Sequence, residues 1–221
     1  MTGTPFPGTT AVARAETGQY STVPPGRYGN NEVNLTALET AYKEMNVTVE
    51  VIKDMKLEWP RIETPDAWIT LGIGRDLNVA LDLLKAQTTT LLMEQRKVSK
   101  EQAEKLMLAN WDCRITQVVD VNRGLHCFNV KDARSQRRIE PLPDRENRIY
   151  LVTVGRDPDF NKAMDTASWE MIELLQKQKG LSRLDADSLA SMVMDCRPAA
   201  PTAAEKMVPC LVPKSTWVSS R

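Results

Sequence analysis

Histidine is almost missing from this chain, because His126 is the only one among 221 residues. Zinc sites built from several histidines, including the H-E-x-x-H motif, are therefore excluded within one chain. Any Ser-His-Asp or Cys-His arrangement would have to be built around His126. The sequence also lacks G-x-S-x-G and G-x-x-x-x-G-K-[ST], and Gly72-Ile73-Gly74 is not followed by a third glycine. These absences exclude serine hydrolases of that type, P-loop proteins and dinucleotide-binding enzymes.

The chain also has no net charge, since 29 basic residues balance 29 acidic residues. Without a basic excess, nothing attracts it to nucleic acid or to an anionic membrane. No apolar run reaches the length of about 18 residues that a membrane span needs, and the N-terminus does not resemble a signal peptide. We therefore expect a cytoplasmic protein without a nucleic-acid or membrane partner. Zero charge combined with 42% hydrophobic residues favours a homo-oligomer or a partner chain.

Cysteine is scarce, and its four copies form neither a dense framework nor a C-x-x-C motif. They occur as two copies of one pair, Cys113 with Cys127 and Cys196 with Cys210. This usage is typical of a reducing compartment. It predicts small buried thiols, with disulfides or metal ligands as the alternatives.

What the sequence does contain is an internal repeat. The stretch that ends at Lys131 aligns without gaps on the stretch that ends at Lys214, and Thr70 aligns with Thr153 at an offset of 83 (153 − 70). The tripeptide Asp-Cys-Arg recurs in the same register. Two copies of a unit this long indicate a duplicated αβ unit, because a solenoid needs three or more repeats.

Hydrophobic periodicity predicts the elements of each copy. Alternation of Val47, Val49 and Val51 indicates a half-buried strand upstream, and Ala67 to Ile73 indicates a second strand. A long amphipathic helix follows in each copy, with apolar residues at helical spacing. They are Leu77, Ala80, Leu81, Leu84, Leu91 and Leu92 in the first copy, and Phe160, Ala163, Met164, Ala167, Met171, Leu174 and Leu175 in the second. A second helix is predicted to begin after Ser99 and after Ser182, and Gly180 is predicted to end the preceding helix.

The ends of the two copies differ. In the first, Arg114 to Asp120, the turn Asn122-Arg123-Gly124 and Leu125 to Val130 predict a hairpin. In the second, four prolines interrupt the equivalent stretch, which predicts an edge strand or a loop. They are Pro198, Pro201, Pro209 and Pro213.

The predicted fold class is α/β in the layered α+β sense, with two tandem strand-helix-helix-strand units packed as a pseudo-symmetric body. Residues 1–31 are predicted to be an extended N-terminal arm, and residues 32–131 the first unit. Residues 132–147 form a charged linker, and residues 148–221 form the second, degenerate copy.

The polar residues of the first hairpin are the predicted site. Gln117 and Asp120 could face His126 across the strands and form a cluster with acid/base potential. In the second copy the corresponding residues are apolar, so only the first copy keeps such a cluster; a purely structural role for His126 is the alternative. Trp59 beside Pro60 suggests a surface bend that could line a substrate pocket. The shared Asp-Cys-Arg tripeptide is predicted to be structural.

The segment W-P-R-I-E-T-P-D-A-W, from Trp59 to Trp68, resembles a segment of the acetamidase/formamidase family. The resemblance continues through Gly72, Asp76, Leu77 and Ala80, through Ser99 to Ala103, and through Asp112 to Asp120. It covers about Glu32 to Val130 together with the second copy. It implies that this chain corresponds to the C-terminal part of the family, internally duplicated, with the family's N-terminal half largely missing.

The resemblance implies hydrolysis of a small linear amide to an acid and ammonia. It places Glu32 as the one matched carboxylate, with Asn30 where the family has aspartate. Glu32 would act as the general base on water, and His126 or Asp120 would assist the leaving amine, while Gln117 and Trp59 would contact the substrate. No metal ligand or cofactor is evident from the residues, and a divalent metal is implied by the resemblance alone. The alternatives are a family member repurposed as a small-molecule isomerase or cyclase, and a companion subunit that completes a separate amidase chain.

Overall fold

A computed structural model describes residues 9–16, 46–53, 55, 57–119, 121–132 and 142–217. The first part contains β1 (Thr9–Glu16), β2 (Asn46–Lys53), β3 (Arg61–Glu63), β4 (Ala67–Gly74), α1 (Leu77–Arg96), α2 (Lys100–Ala109), β5 (Cys113–Gln117) and β6 (Arg123–Val130). The second part contains β7 (Tyr150–Asp157), α3 (Phe160–Lys179), α4 (Arg183–Val193), β8 (Asp195–Cys196), β9 (Lys206–Pro213) and a 3-10 helix (Lys214–Thr216). Helices and antiparallel sheets occur together, which confirms the predicted α+β class.

Three antiparallel sheets organise these strands. β1 pairs with β2, the first unit has the order β3-β4-β6-β5, and the second has the order β7-β9-β8. Thr9–Glu16, within the predicted N-terminal arm, thus pairs with β2 of the same chain. In each unit the long helix packs on the sheet, α1 on β4 and β6, and α3 on β7 and β9.

The predicted helix boundaries are confirmed by the caps. Ser99 and Gln102 form a reciprocal capping box at the start of α2, and the Ser182 side chain accepts a hydrogen bond from Asp185 N at the start of α4. Gly180 ends α3 in the left-handed conformation, with φ of 65°. The helix boundaries could be predicted from the sequence because each capping side chain bonds to backbone groups within a few residues of itself.

One glycine in each unit allows its long helix to lie close to the sheet. A Cβ at Gly72 would overlap Ala80 O and come within 2.7 Å of Leu84 N. A Cβ at Gly155 would overlap Ala163 O and come within 2.9 Å of Ala167 N. The helix backbones of α1 and α3 therefore rest where any side chain on the strand would stand.

The two units share one hydrophobic core. The predicted helix faces are buried in it, and core residues from the sheets of both units and from α1, α3 and α4 belong to the same cluster. The cluster includes Leu77, Leu81, Leu84, Ile115, Leu125, Phe160, Met164, Met171, Leu175, Met194 and Val212. The described units therefore pack as a single body.

Equivalent residues make reciprocal hydrogen bonds where α1 and α3 begin. Asn78 accepts a hydrogen bond from Phe160 N at 3.0 Å, and Asn161 accepts one from Leu77 N at 3.1 Å. Asn78 Nδ2 donates to Asp159 at 3.0 Å, and Asn161 Nδ2 donates to Asp76 at 3.0 Å. Hydrogen bonds from both asparagine side chains lower the pKa of Asp159. Such reciprocity is what two-fold pseudo-symmetry produces, and the pseudo-symmetry of the whole body stays a prediction.

The upstream strand is present as β2, but its predicted burial is wrong. Val49 is 66% exposed and Val51 is 60% exposed. The reason is that β2 belongs to a separate two-stranded sheet. Its alternating valines form an apolar face, but no helix of either unit packs on that face.

The prediction that prolines confine the last segment to an edge or loop is also wrong. β9 is the central strand of the second sheet, although it contains Pro209. Arg197 N donates to Pro209 O at 3.0 Å, and proline has no N–H for the return bond. β8 is only two residues long, so this side of β9 has few ladder bonds to lose.

The cysteines are disulfide-bonded, which overturns the prediction of free thiols. Cys113 lies opposite Cys127 on neighbouring strands, and Cys196 lies opposite Cys210 in the same way. Both pairs form buried disulfides with a sequence separation of 14 residues. No helix in the described part of the chain is long and apolar enough to cross a membrane.

Candidate functional site

His126 lies in the middle of the first unit's sheet. On β6 it stands opposite Leu71 of β4 and Arg114 of β5. Its neighbours Leu125 and Cys127 belong to the core under the helices, so alternation directs His126 to the opposite face. We call this face, which carries His126 and turns away from the helices, the outer face of the first sheet.

An irregularity in β5 brings Thr116 to the histidine. The strand register shifts between Ile115, which is opposite Leu125, and Gln117, which is opposite Gly124, so that Thr116 is the extra residue of a β-bulge. Thr116 Oγ1 lies 2.7 Å from His126 Nδ1, at hydrogen-bonding distance. The hydroxyl can donate or accept, so both neutral tautomers of the imidazole are compatible with this contact.

The His126 imidazole is held in its neutral form. Burial, with the positive charge of Arg114 as a second cause, lowers the pKa of His126 from 6.5 to about 4. The ring also contacts Phe128 edge-on, with centroids 5.2 Å apart. Among the described residues none donates to or accepts from Nε2, so at neutral pH this nitrogen is available for proton exchange.

A buried charged cluster lies beside His126, where the two units meet. Arg114 forms an ion pair with Asp112 and donates to Cys113 O at 3.0 Å. Its Nε lies 3.6 Å from Oδ1 of Asp195 in the second unit, and both atoms are buried without a hydrogen-bond partner among the residues that the structure describes. Arg197 pairs with the same aspartate at 2.6 Å. The two Asp-Cys-Arg tripeptides thus meet across the boundary between β5 and β8, in agreement with their predicted structural role.

Gln117 lies on the outer face with His126, because its partner Gly124 is two residues before the histidine on β6. Its amide donates to Val119 O at 3.0 Å. Trp59 is half-buried in the bend before β3, at the far edge of the sheet. Three strand spacings, about 14 Å, separate β3 from β5, so Trp59 and Gln117 lie towards opposite edges of the sheet, and their shared contact with a substrate stays a prediction.

The predicted catalytic carboxylates, Glu32 and Asp120, lie outside the described residues. In the described ranges no three histidine, cysteine or acidic side chains come together as a possible metal centre. The residues that are described therefore do not fit the divalent metal that the family resemblance implies. We derive no chemical step through such a metal.

Two residues of this site were missed by sequence reasoning. Thr116 could be found only from the β-bulge, because regular alternation does not pair it with His126. Arg114 was recognised as part of a repeated tripeptide, but its influence on His126 depends on their cross-strand pairing. A repeat in the sequence identifies such residues without indicating which neighbour they affect.

Comparison with known proteins found no match. No family model matches the chain, and neither a curated protein nor a solved structure matches it. The resemblance to amide hydrolases therefore stays a prediction, and among the described residues the geometry around His126 is the structural argument for a reaction.

Proposed function

We propose that the chain is an acetamidase/formamidase-like hydrolase that cleaves the C–N bond of a small linear amide. The observation that carries this proposal is the neutral His126 imidazole, held by Thr116 on the outer face of the first sheet. The sequence resemblance supplies the reaction class. His126 supplies a nitrogen that can exchange a proton with the reacting amide.

Amide hydrolysis requires a proton to travel from water to the leaving nitrogen. The water oxygen bonds to the carbonyl carbon, the C–N bond breaks, and a carboxylic acid and ammonia are released. In the proposed division of roles, Glu32 takes the proton from water, and His126 passes it to the leaving amine. Because His126 is neutral at rest, it must receive this proton before it can give it away.

The lowered pKa of His126 bears on this relay. With a value of about 4 the imidazole carries no proton at neutral pH, so it holds the proton that it receives only transiently. The resulting imidazolium is strongly acidic for its type and readily protonates an amine as the C–N bond breaks. When Nδ1 carries the hydrogen, it donates a hydrogen bond to the Thr116 hydroxyl, and Nε2 is free to receive the proton.

The test is release of ammonia from formamide and from acetamide by the full chain, with and without added divalent cations. Ammonia release with either substrate is the expected result. If no ammonia forms under any of these conditions, hydrolysis is excluded, and the repurposed and companion-subunit alternatives take its place.

Replacing Thr116 by valine tests the hydrogen bond to His126. The variant Thr116→Val keeps the side-chain shape but removes the hydroxyl that fixes the ring, so kcat is expected to fall about tenfold or more. Thr90→Val is the matched control, because Thr90 is exposed on α1 and far from the sheet's outer face. Equal rates for both variants would remove Thr116 from the mechanism.

A further inference from the structure

The strand β7 has one edge to which no other described strand is hydrogen-bonded. The β8–β9 bonds, in which Arg197 N donates to Pro209 O and Ala199 N to Met207 O, direct the odd-numbered residues of β9 toward β8. The even-numbered residues of β9 therefore bond to the odd-numbered residues of β7. The N–H and C=O groups of Val152, Val154 and Arg156 consequently point to the open side.

The equivalent edge is covered in the first unit. Val152 corresponds to Ile69 in the repeat register, and Ile69 pairs with Ile62 of the short strand β3. The stretch of the second unit equivalent to β3 is residues 144–146, which do not form a strand. The duplicated unit therefore retains the strand but lacks the segment that covers it.

The open edge of β7 lacks most of the features that usually prevent strand addition, and its two charged residues, Arg156 and Asp157, lie together at one end. It runs for eight residues, Tyr150–Asp157, without a proline, a bulge or a lysine. Within the described part of the chain only its first residue is blocked, because Asn147 Oδ1 accepts from Tyr150 N at 2.8 Å and Asn147 N donates to Tyr150 O at 3.1 Å. Val152 is buried, and Val154 is half-buried on the same face. An edge of this kind is a template for another strand.

We propose that β7 pairs antiparallel with β7 of a second copy of this chain, centred on Thr153. In this register Val152 lies opposite Val154 of the second copy, and the two such pairs form four N–H···O bonds between copies. Tyr150 lies opposite Arg156 of the second copy, where the guanidinium can lie over the ring. The sheets of the two copies then form one continuous sheet around a two-fold axis.

The charges near the two ends of β7 favour the register centred on Thr153. A basic residue, Arg148, precedes β7, and an acidic residue, Asp157, ends it. Antiparallel pairing centred on Thr153 places Ile149 of each copy opposite Asp157 of the other and Arg148 opposite Pro158, so no two like charges stand opposite each other. Shifting the register by two residues places Arg148 opposite Arg156 instead, and this like-charge pair disfavours the shifted register.

The test combines the mass in solution with amide exchange of the full chain. Wild type is expected at twice the 24.8 kDa chain mass, with slow exchange at the amides of Val152 and Val154. Val154→Pro removes an outward N–H while leaving the bonds to β9 intact, so the dimer dissociation constant is expected to rise about tenfold or more. Val154→Thr keeps that N–H and is the matched control.

A second variant keeps the backbone unchanged. Val154→Lys places two like charges near the centre of the pairing, and it is also expected to weaken the dimer. A monomeric wild type with fast exchange at Val152 and Val154 would overturn the proposal. A monomer with slow exchange at these amides would also overturn it, since another part of the same chain would then cover the edge. None of these measurements depends on the proposed hydrolase activity.

Discussion

The first and second units differ on the outer faces of their sheets, although their long helices and caps are equivalent. His126 of the first unit corresponds to Pro209 of the second, and Gln117 corresponds to Ala200. Both units keep the residues that the packing of helix on sheet requires, such as the glycine under the long helix. The histidine on which the proposed reaction depends occurs in the first unit alone, so the second unit acts as scaffold in this account.

The largest expected effect concerns the glycine that both units share. Gly72→Ala and Gly155→Ala are each expected to destabilise the protein by about 3 kcal/mol or to prevent folding, because the added Cβ overlaps the helix backbone. Gly124→Ala is the control, since its Cβ would come no closer than 3.6 Å to Thr116 and should cost less than about 1 kcal/mol. Urea unfolding measures all three. A tolerated Gly155→Ala would mean that the second unit does not need the close helix approach.

The next effect is the pH dependence of folding stability that His126, present only in the first unit, produces. Folding stability is expected to fall by about 2 kcal/mol as the pH drops from about 6.5 to about 4. Over this range the unfolded histidine accepts a proton at its ordinary pKa of 6.5, whereas His126 in the fold resists protonation until about 4. The contribution is complete above pH 6.5 and absent below pH 4.

Comparison with His126→Gln isolates this contribution from that of the carboxylates. The variant should lose less stability than wild type over the same range in urea unfolding. Identical pH dependence of the two proteins would show that His126 is not buried in its neutral form.

The smallest effect tests the symmetry of the contact between units. Asn78→Ala and Asn161→Ala should each cost about 1 kcal/mol, because each removes a partner of the opposite helix's first N–H. Asn161→Ala should cost somewhat more, since Arg123 also donates to Asn161 at 2.8 Å. A double-mutant cycle of unfolding free energies measures both. Complete loss of stability in one variant with none in the other would contradict the reciprocal arrangement.

Local signals in the sequence predicted much of the fold. The helices, their caps and the first hairpin depend on residues within a few positions of one another, and all of them are present, but the predicted turn is misplaced because Arg123 and Gly124 belong to β6. The site was less predictable, because the contact between Thr116 and His126 depends on one extra residue in β5. Periodicity cannot reveal a bulge, and it therefore cannot give the partner of the histidine.

The errors had non-local causes. Disulfides between cysteines on neighbouring strands can be predicted only when the strand register is known. That register is set by pairing between segments about 14 residues apart. Pro209 is tolerated in a central strand because β8, its neighbour on one side, is short. The valines of β2 alternate as in a buried face, yet burial depends on whether another layer packs against them.

The most direct test of the account compares the two equivalent positions in the ammonia-release assay. His126→Gln should lose at least about a hundredfold in kcat, since the relay nitrogen is gone, while Pro209→Ala at the corresponding place in the second unit should keep the wild-type rate. Both variants should retain wild-type far-ultraviolet circular dichroism. Full activity of His126→Gln, or equal losses in both variants, would contradict the assignment of the reaction to the first unit.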